Sequence, residues 1–287
     1  MRVLISGSTG LIGSALARSL EADGHAVIRL ARTGRGANLF DATDPPACDA
    51  VVHLAGEPVA GRWTAARKAA IRDSRVGGTR SLCGVLLRSD LRPHVLASAS
   101  AVGFYGDRGD AILTEASPAG HGFLAEVAGE WEAAVRPAVE AGIRAVQLRF
   151  GVVLSKAGGA LAAMLTPFRM GMGGRVGSGR QYVSWISLDD AVRAVRFVLD
   201  TGSLSGPVNV TAPNPVTNAD FARALARRLG RPSVVPVPAF AVRALLGEAA
   251  DELLLASARV MPARLLEAGF SFRHATLETA LAAALDG

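Results

Sequence analysis

The first thirteen residues constrain this chain more than any other segment. An apolar run, Arg2 to Ser6, ends in Gly7-Ser8-Thr9-Gly10-Leu11-Ile12-Gly13. A helically spaced segment follows, Ser14 to Asp23, with Leu16 and Leu20 on one face and Gly24 as its stop. Strand, glycine turn and helix form the opening of a βαβ unit. Glycines at a GxxGxxG spacing meet three demands at once: a tight turn, a close backbone approach to a diphosphate, and close packing of helix on strand. The helix N-terminus then offers unpaired N–H groups and a partial positive charge to an anion. Gly7 to Gly13, with Ser8, Thr9, Gly10, Leu11 and Ile12 between them, therefore reads as the phosphate cradle of a dinucleotide site.

The second apolar run, Ala26 to Leu30, decides which dinucleotide is expected. An acid at its end would bond a ribose 2′-hydroxyl. The sequence there is Leu30-Ala31-Arg32-Thr33, with no acid. Arg32, helped by Arg35 and Ser8, suits a 2′-phosphate instead, and such a charge-assisted bond is worth about 1.5–3 kcal/mol. NADP(H) is the expected cofactor.

Further short strand candidates follow at Leu39–Phe40, Ala50 to Leu54, His94 to Ala99 and Ala145 to Leu154, with helices at Ala65 to Ile71, Thr79 to Arg88 and Glu126 to Ala141. Alternation of this kind predicts a Rossmann doubly wound α/β fold, a parallel sheet with helices on both faces. After about residue 155 the pattern changes. Gly171 to Gly179 reads as a loop, Val183 to Ile186 and Val208 to Thr211 as short strands, and helices dominate beyond Asn218. Seven prolines from Pro207 to Pro262 cut this half into short pieces. The expected division is a dinucleotide-binding domain over 1–155, to which 186–212 returns, and a smaller mixed α/β lobe over 156–287.

Composition narrows the function classes. Half of the 287 residues are hydrophobic, enough for a full core without disulfides or metals. Cys48 and Cys83 are far apart with no Cys/His spacing, so no metal site and no disulfide are expected, and a reducing compartment is. No signal peptide or stretch of ~18 apolar residues is present, which makes the cytoplasm the expected location and a membrane partner unexpected. The net charge is +6, but the arginines are scattered and aromatics are only 5%, unlike a nucleic-acid-binding stripe.

The glycine turn, His53-Leu54-Ala55-Gly56, and Ser98-Ala99-Ser100-Ala101-Val102-Gly103-Phe104-Tyr105-Gly106 together resemble the extended short-chain dehydrogenases that act on nucleotide sugars. Gly56-Glu57-Pro58, Arg62-Trp63-Thr64, Ser74-Arg75-Val76, Gly129-Glu130-Trp131-Glu132, Gly177-Ser178-Gly179-Arg180-Gln181 and Gly269-Phe270 are more specific. They resemble a sugar-nucleotide epimerase-like, atypical branch with an extra C-terminal domain of unknown function, over Arg2 to about Leu281.

The resemblance implies particular roles. Leu54, Ala55 and Gly56 would lie against the adenosine ribose, Asp41 would bond the adenine amino group, and Ser98, Arg149 and Gly151 would wall the cofactor. Ser100 matches the catalytic serine. The YxxxK pair, however, falls on Phe123 and Val127, and neither can transfer a proton. Tyr105, at the carboxyl edge of the serine strand, is the expected replacement, with His121, Glu126 and Glu130 as weaker candidates. Ser187 stands where the branch has histidine, and Arg75 where the superfamily has asparagine. Two functions follow: an NADP(H)-dependent epimerase or oxidoreductase acting on a nucleotide sugar or related carbonyl or hydroxyl compound, or a non-catalytic NADP(H)-binding redox sensor or partner-binding module. A small-molecule partner is expected, and a homodimer is left open.

Overall fold

A computed structural model describes residues 1–30, 47–88, 93–233 and 235–286. The expected Leu39–Phe40 strand and the candidate residues Arg32 and Asp41 lie outside the described residues. The strands are β1 (Arg2–Ser6), β2 (Ala26–Leu30), β3 (Ala50–His53), β4 (Val95–Ala101), β5 (Ile112–Leu113), β6 (Arg144–Phe150), β7 (Val152–Leu154), β8 (Tyr182–Val183), β9 (Trp185–Ser187), β10 (Gly206–Val210), β11 (Val216–Thr217) and β12 (Arg259–Val260). Six of them form one parallel sheet in the order β10-β6-β4-β3-β1-β2.

Its central strands β1 and β3 are largely apolar because both faces are covered. Val3 and Ile5 point into one layer and Leu4 into the other. On the first face lie α1 (Leu11–Ala22) and α7 (Leu188–Asp200), which bring Leu16, Leu20, Val195 and Val198. The opposite face carries α3 (Gly78–Arg88) and α5 (Arg136–Glu140), with Leu82, Leu86 and Ala138. This is the doubly wound arrangement expected of the alternating pattern. The chain leaves β1 for β2 on one side and returns to β3 on the other, so a crevice opens between the carboxyl ends of β1 and β3.

Two expected elements divide. The helix expected over 126–141 is α4 (Phe123–Ala133) followed by α5. Pro137 has no N–H to donate to Ala133, four residues back, and the helix is interrupted there. The strand expected over 145–154 breaks at Gly151, where β6 stays in the main sheet and β7 turns away to pair with β9.

The C-terminal half is threaded into the first. β12 pairs in parallel with β5, placing Val260 beside Leu113. A second core forms where α6 (Gly159–Arg169), α8 (Asn218–Arg228) and α12 (Leu277–Asp286) surround Trp185. The fully buried Asp190 accepts hydrogen bonds from the Arg193 guanidinium and the backbone N–H groups of Arg273 and His274, tying the C-terminal segment to α7.

Gly151 is required by contact. A Cβ there would sit 2.6 Å from the carbonyl oxygen of Ser184. Gly151→Ala is expected to lower stability by about 1–3 kcal/mol through overpacking. Denaturant unfolding measures this, and an unchanged midpoint would show that the β6–β7 corner tolerates the methyl group.

Candidate functional site

The cradle forms as its glycines require. Gly7 has φ +73°, and a Cβ on it would lie 2.7 Å from the Leu54 carbonyl carbon. A Cβ on Gly13 would lie 2.2 Å from the Gly7 carbonyl oxygen. The turn is closed by Gly10 N–H donating to Gly7 O at 3.0 Å. Gly10 is the N-cap of α1 and provides no capping side chain, so the first N–H groups of the helix are open to an anion. Ser8 is buried, Thr9 is exposed, and Leu11 and Ile12 are half-buried on the helix. Leu54 and Ala55 are half-buried and Gly56 is exposed at the end of β3. This backbone fits a diphosphate.

The other candidates form a buried polar network. Ser100, 3% exposed, donates to Glu132 Oε1 at 2.7 Å. Arg149 donates to both oxygens of Glu132, at 2.7 and 2.8 Å, and to the Tyr105 hydroxyl at 2.9 Å. The Tyr105 hydroxyl lies 2.7 Å from Asn209 Oδ1 and 3.0 Å from the Thr114 carbonyl oxygen. Burial alone would lower the Arg149 pKa, but the Glu132 carboxylate and the Tyr105 hydroxyl more than offset it. The Arg149 guanidinium also lies 3.6 Å from the Phe104 ring centroid.

This arrangement bears on the role expected of Tyr105. Tyr105 is fully buried, its hydroxyl is enclosed, and burial pushes its pKa up, so it has no surface on which to meet a substrate. Arg149 is committed to Glu132 and Tyr105. Ser98 is also buried, and its Oγ finds no hydrogen-bond partner among the described residues.

Phe123 and Val127, at the YxxxK positions, pack with Trp63, Ile71 and Ala249. Trp63 meets Phe123 edge-on at 5.0 Å, and Lys68 Nζ sits 4.7 Å from the Phe123 ring centroid. Trp63 Nε1 donates to Val59 O, and Trp185 Nε1 donates to Asn214 O. Both tryptophans are packing residues. Glu126 and Glu130 are exposed on α4, where Arg72 pairs with both.

A cavity of about 360 Å³ opens beyond β4. Val102, Gly103 and Leu124 line its inner side, Val152 and Tyr182 to Ser184 one flank, and the helical turn Asp251–Leu255 the outer side. His121 and Asp107 face it. Glu252, from that outer turn, accepts the N–H groups of Phe123 at 2.8 Å and Leu124 at 2.7 Å. The C-terminal segment thus caps α4 with a carboxylate and closes the cavity with the same residue. The sequence reading missed Glu132 and Glu252, because contacts across such separations leave no trace in local spacing.

Comparison with known proteins agrees with this geometry. Residues 3–211 match the NAD dependent epimerase/dehydratase family, and residues 237–284 match a domain of unknown function, DUF1731. The chain belongs to the NAD dependent epimerase/dehydratase family. An epimerase family protein of Mycobacterium tuberculosis is 46% identical over 290 residues, covering 97% of this chain and 96% of the relative. The crystal structure of human epimerase family protein SDR39U1 with NADPH is 34% identical, with a TM-score of 0.93 and 100% coverage of both chains. A nucleoside-diphosphate sugar epimerase structure from Corynebacterium glutamicum is 39% identical, with a TM-score of 0.81, over 99% of this chain and 58% of the other. Among the described residues no helix is long and apolar enough to cross a membrane.

One titratable group lies beside the cradle. His53 is fully buried at the end of β3, with Nδ1 2.5 Å from Ser6 Oγ on β1. Burial pushes its pKa down from 6.5 to about 4. The unfolded chain therefore takes up this proton before the folded one does. Stability from this residue is complete above pH 6.5 and is lost as the pH falls toward 4, by up to about 3 kcal/mol. Denaturant unfolding between about pH 7.5 and about 4.5 is expected to show this loss, and a smaller one in His53→Gln. Equal slopes in the two proteins would contradict the assignment.

Proposed function

We propose that this chain binds NADP(H) in the β1–β3 crevice and transfers hydride to or from a nucleotide sugar or related carbonyl or hydroxyl compound. The observation that carries the catalytic part is the cavity beyond β4, which both halves of the chain line and which adjoins Val102 and Gly103. A protein that only senses the cofactor needs no such chamber. In this reading the α1 N-terminus and Gly7 to Gly13 hold the diphosphate, and Leu54 to Gly56 lie against the adenosine half. Arg32 reads the 2′-phosphate and Asp41 the adenine. The bound nicotinamide supplies or accepts the hydride. The human relative with NADPH and the Corynebacterium relative described as a nucleoside-diphosphate sugar epimerase support the cofactor and substrate class. Two free, buried cysteines suit a reducing compartment such as the cytoplasm.

The proton has to come from a cavity-facing group. Ser100 commits its own proton to Glu132, and Tyr105 reaches the site only through Arg149. Both are positioning residues in this reading. His121 is exposed in the cavity wall and carries the transferable proton. The competing reading, a binding module, draws on the burial of Phe123 and Val127 where proton-transfer groups would stand.

The test is a panel of nucleotide sugars offered with NADPH or NADP⁺, followed by nicotinamide absorbance and product analysis. Turnover is expected, reduced about a hundredfold or more in His121→Ala. Tight cofactor binding without turnover of any compound would favour the binding module, and turnover unaffected by His121→Ala would remove the role given to that residue.

A further inference from the structure

β8 forms part of one flank of the cavity beyond β4. It pairs with β11, Tyr182 opposite Thr217 and Val183 opposite Val216. Side chains alternate along an extended chain, so Tyr182 and Ser184 share a side that Val183 does not. Val183 packs into the core around Trp185 and Phe221. On the other side Ser184 Oγ donates to the Ala258 carbonyl oxygen at 2.7 Å and accepts the Val260 N–H at 2.9 Å. Tyr182 therefore lies on the side where Ala256 and Ala258 line the cavity.

The surrounding chain fixes this tyrosine. Its N–H donates to Ser257 Oγ at 2.9 Å, and that hydroxyl donates to the Gly109 carbonyl oxygen at 2.6 Å. The Ser257 N–H donates to Asp107 Oδ1 at 3.1 Å. The Arg259 guanidinium covers one face of the Tyr182 ring, 4.9 Å from its centroid. The Tyr182 hydroxyl is accessible and makes no hydrogen bond among the described residues. In this it differs from Tyr105, whose hydroxyl is enclosed by Arg149, Asn209 and Thr114.

The other polar groups of the cavity wall are occupied. Glu252 uses both oxygens on α4, and Arg243 pairs with Asp251 at 2.8 Å. Asp107 accepts the N–H groups of Gly109 and Ser257, and Ser184 is satisfied. Tyr182 and His121 are the polar lining side chains with no hydrogen bond or ion pair among the described residues. A largely apolar chamber fixes its ligand through a small number of such groups. We infer that Tyr182 is a substrate-binding residue whose hydroxyl donates to a substrate hydroxyl oxygen away from the reacting carbon, while His121 serves the reacting oxygen. The ring face opposite Arg259 receives the C–H surface of the same compound. Tyr182 keeps its proton throughout, so its part is recognition. The inference rests on the hydride-transfer reading above and adds the group that selects the substrate.

The test compares wild type, Tyr182→Phe and Tyr182→Leu on the nucleotide sugar that the panel above turns over fastest, and on its deoxy analogues, each lacking one hydroxyl. Thermal melting establishes that each variant is folded, and calorimetry that its NADPH affinity changes less than about twofold. Tyr182→Phe is expected to raise KM about three- to tenfold while kcat changes less than about twofold, as loss of one ground-state hydrogen bond requires. One deoxy analogue is expected to show a similar KM rise with wild type and no further rise with Tyr182→Phe, because the two deletions remove the same bond. Tyr182→Leu also removes the ring and raises KM further. If Tyr182→Leu does not fold, the Phe variant decides alone. An unchanged KM in Tyr182→Phe would overturn the inference, as would a loss of equal size on every analogue, which would make Tyr182 a structural residue of the wall. Absence of turnover in the wild type would overturn the hydride-transfer reading and this inference with it, a result seen before any variant is compared.

Discussion

The site depends on two missing methyl groups. Side chains at Gly7 and Gly13 would intrude on the Leu54 carbonyl and on the Gly7 carbonyl itself. Without them β1, α1 and the chain leaving β3 meet at backbone distance. That contact places the open helix N-terminus over the point where strand order reverses. The neighbouring residues are arranged around this junction: His53 bonds Ser6 behind it, and Gly56 follows Leu54 and Ala55 at the end of β3.

The reaction side is built on a different principle. A polar chain runs from Ser100 through Glu132 and Arg149 to Tyr105 and Asn209, buried and mutually satisfied. Such a network fixes the register of β4, β6 and β10 against α4 and leaves few groups free for chemistry. Phe123 and Val127 add packing where a proton-transfer pair would stand. What remains accessible is the cavity between Val102, His121 and the Asp251–Leu255 turn, with Glu252 holding the two halves together.

The cofactor half was largely legible in the sequence. Glycine spacing, the N-terminal strand and the amphipathic helix are local signals, and the strands buried on both faces read as continuous apolar runs. Boundaries failed where one residue redirected the chain, as Pro137 and Gly151 do. The reaction half was not legible. Whether Tyr105 faces a cavity or the core depends on Asn209, more than a hundred residues away. The capping role of Glu252 is likewise a product of tertiary contact.

The measurement closest to the central claim is a calorimetric titration of the wild-type chain with NADPH and NADH side by side. One NADPH per chain is expected, bound about ten- to hundredfold more tightly than NADH. Binding of neither would contradict it, leaving the Gly7–Gly13 turn as packing between β1, α1 and β3 rather than a site.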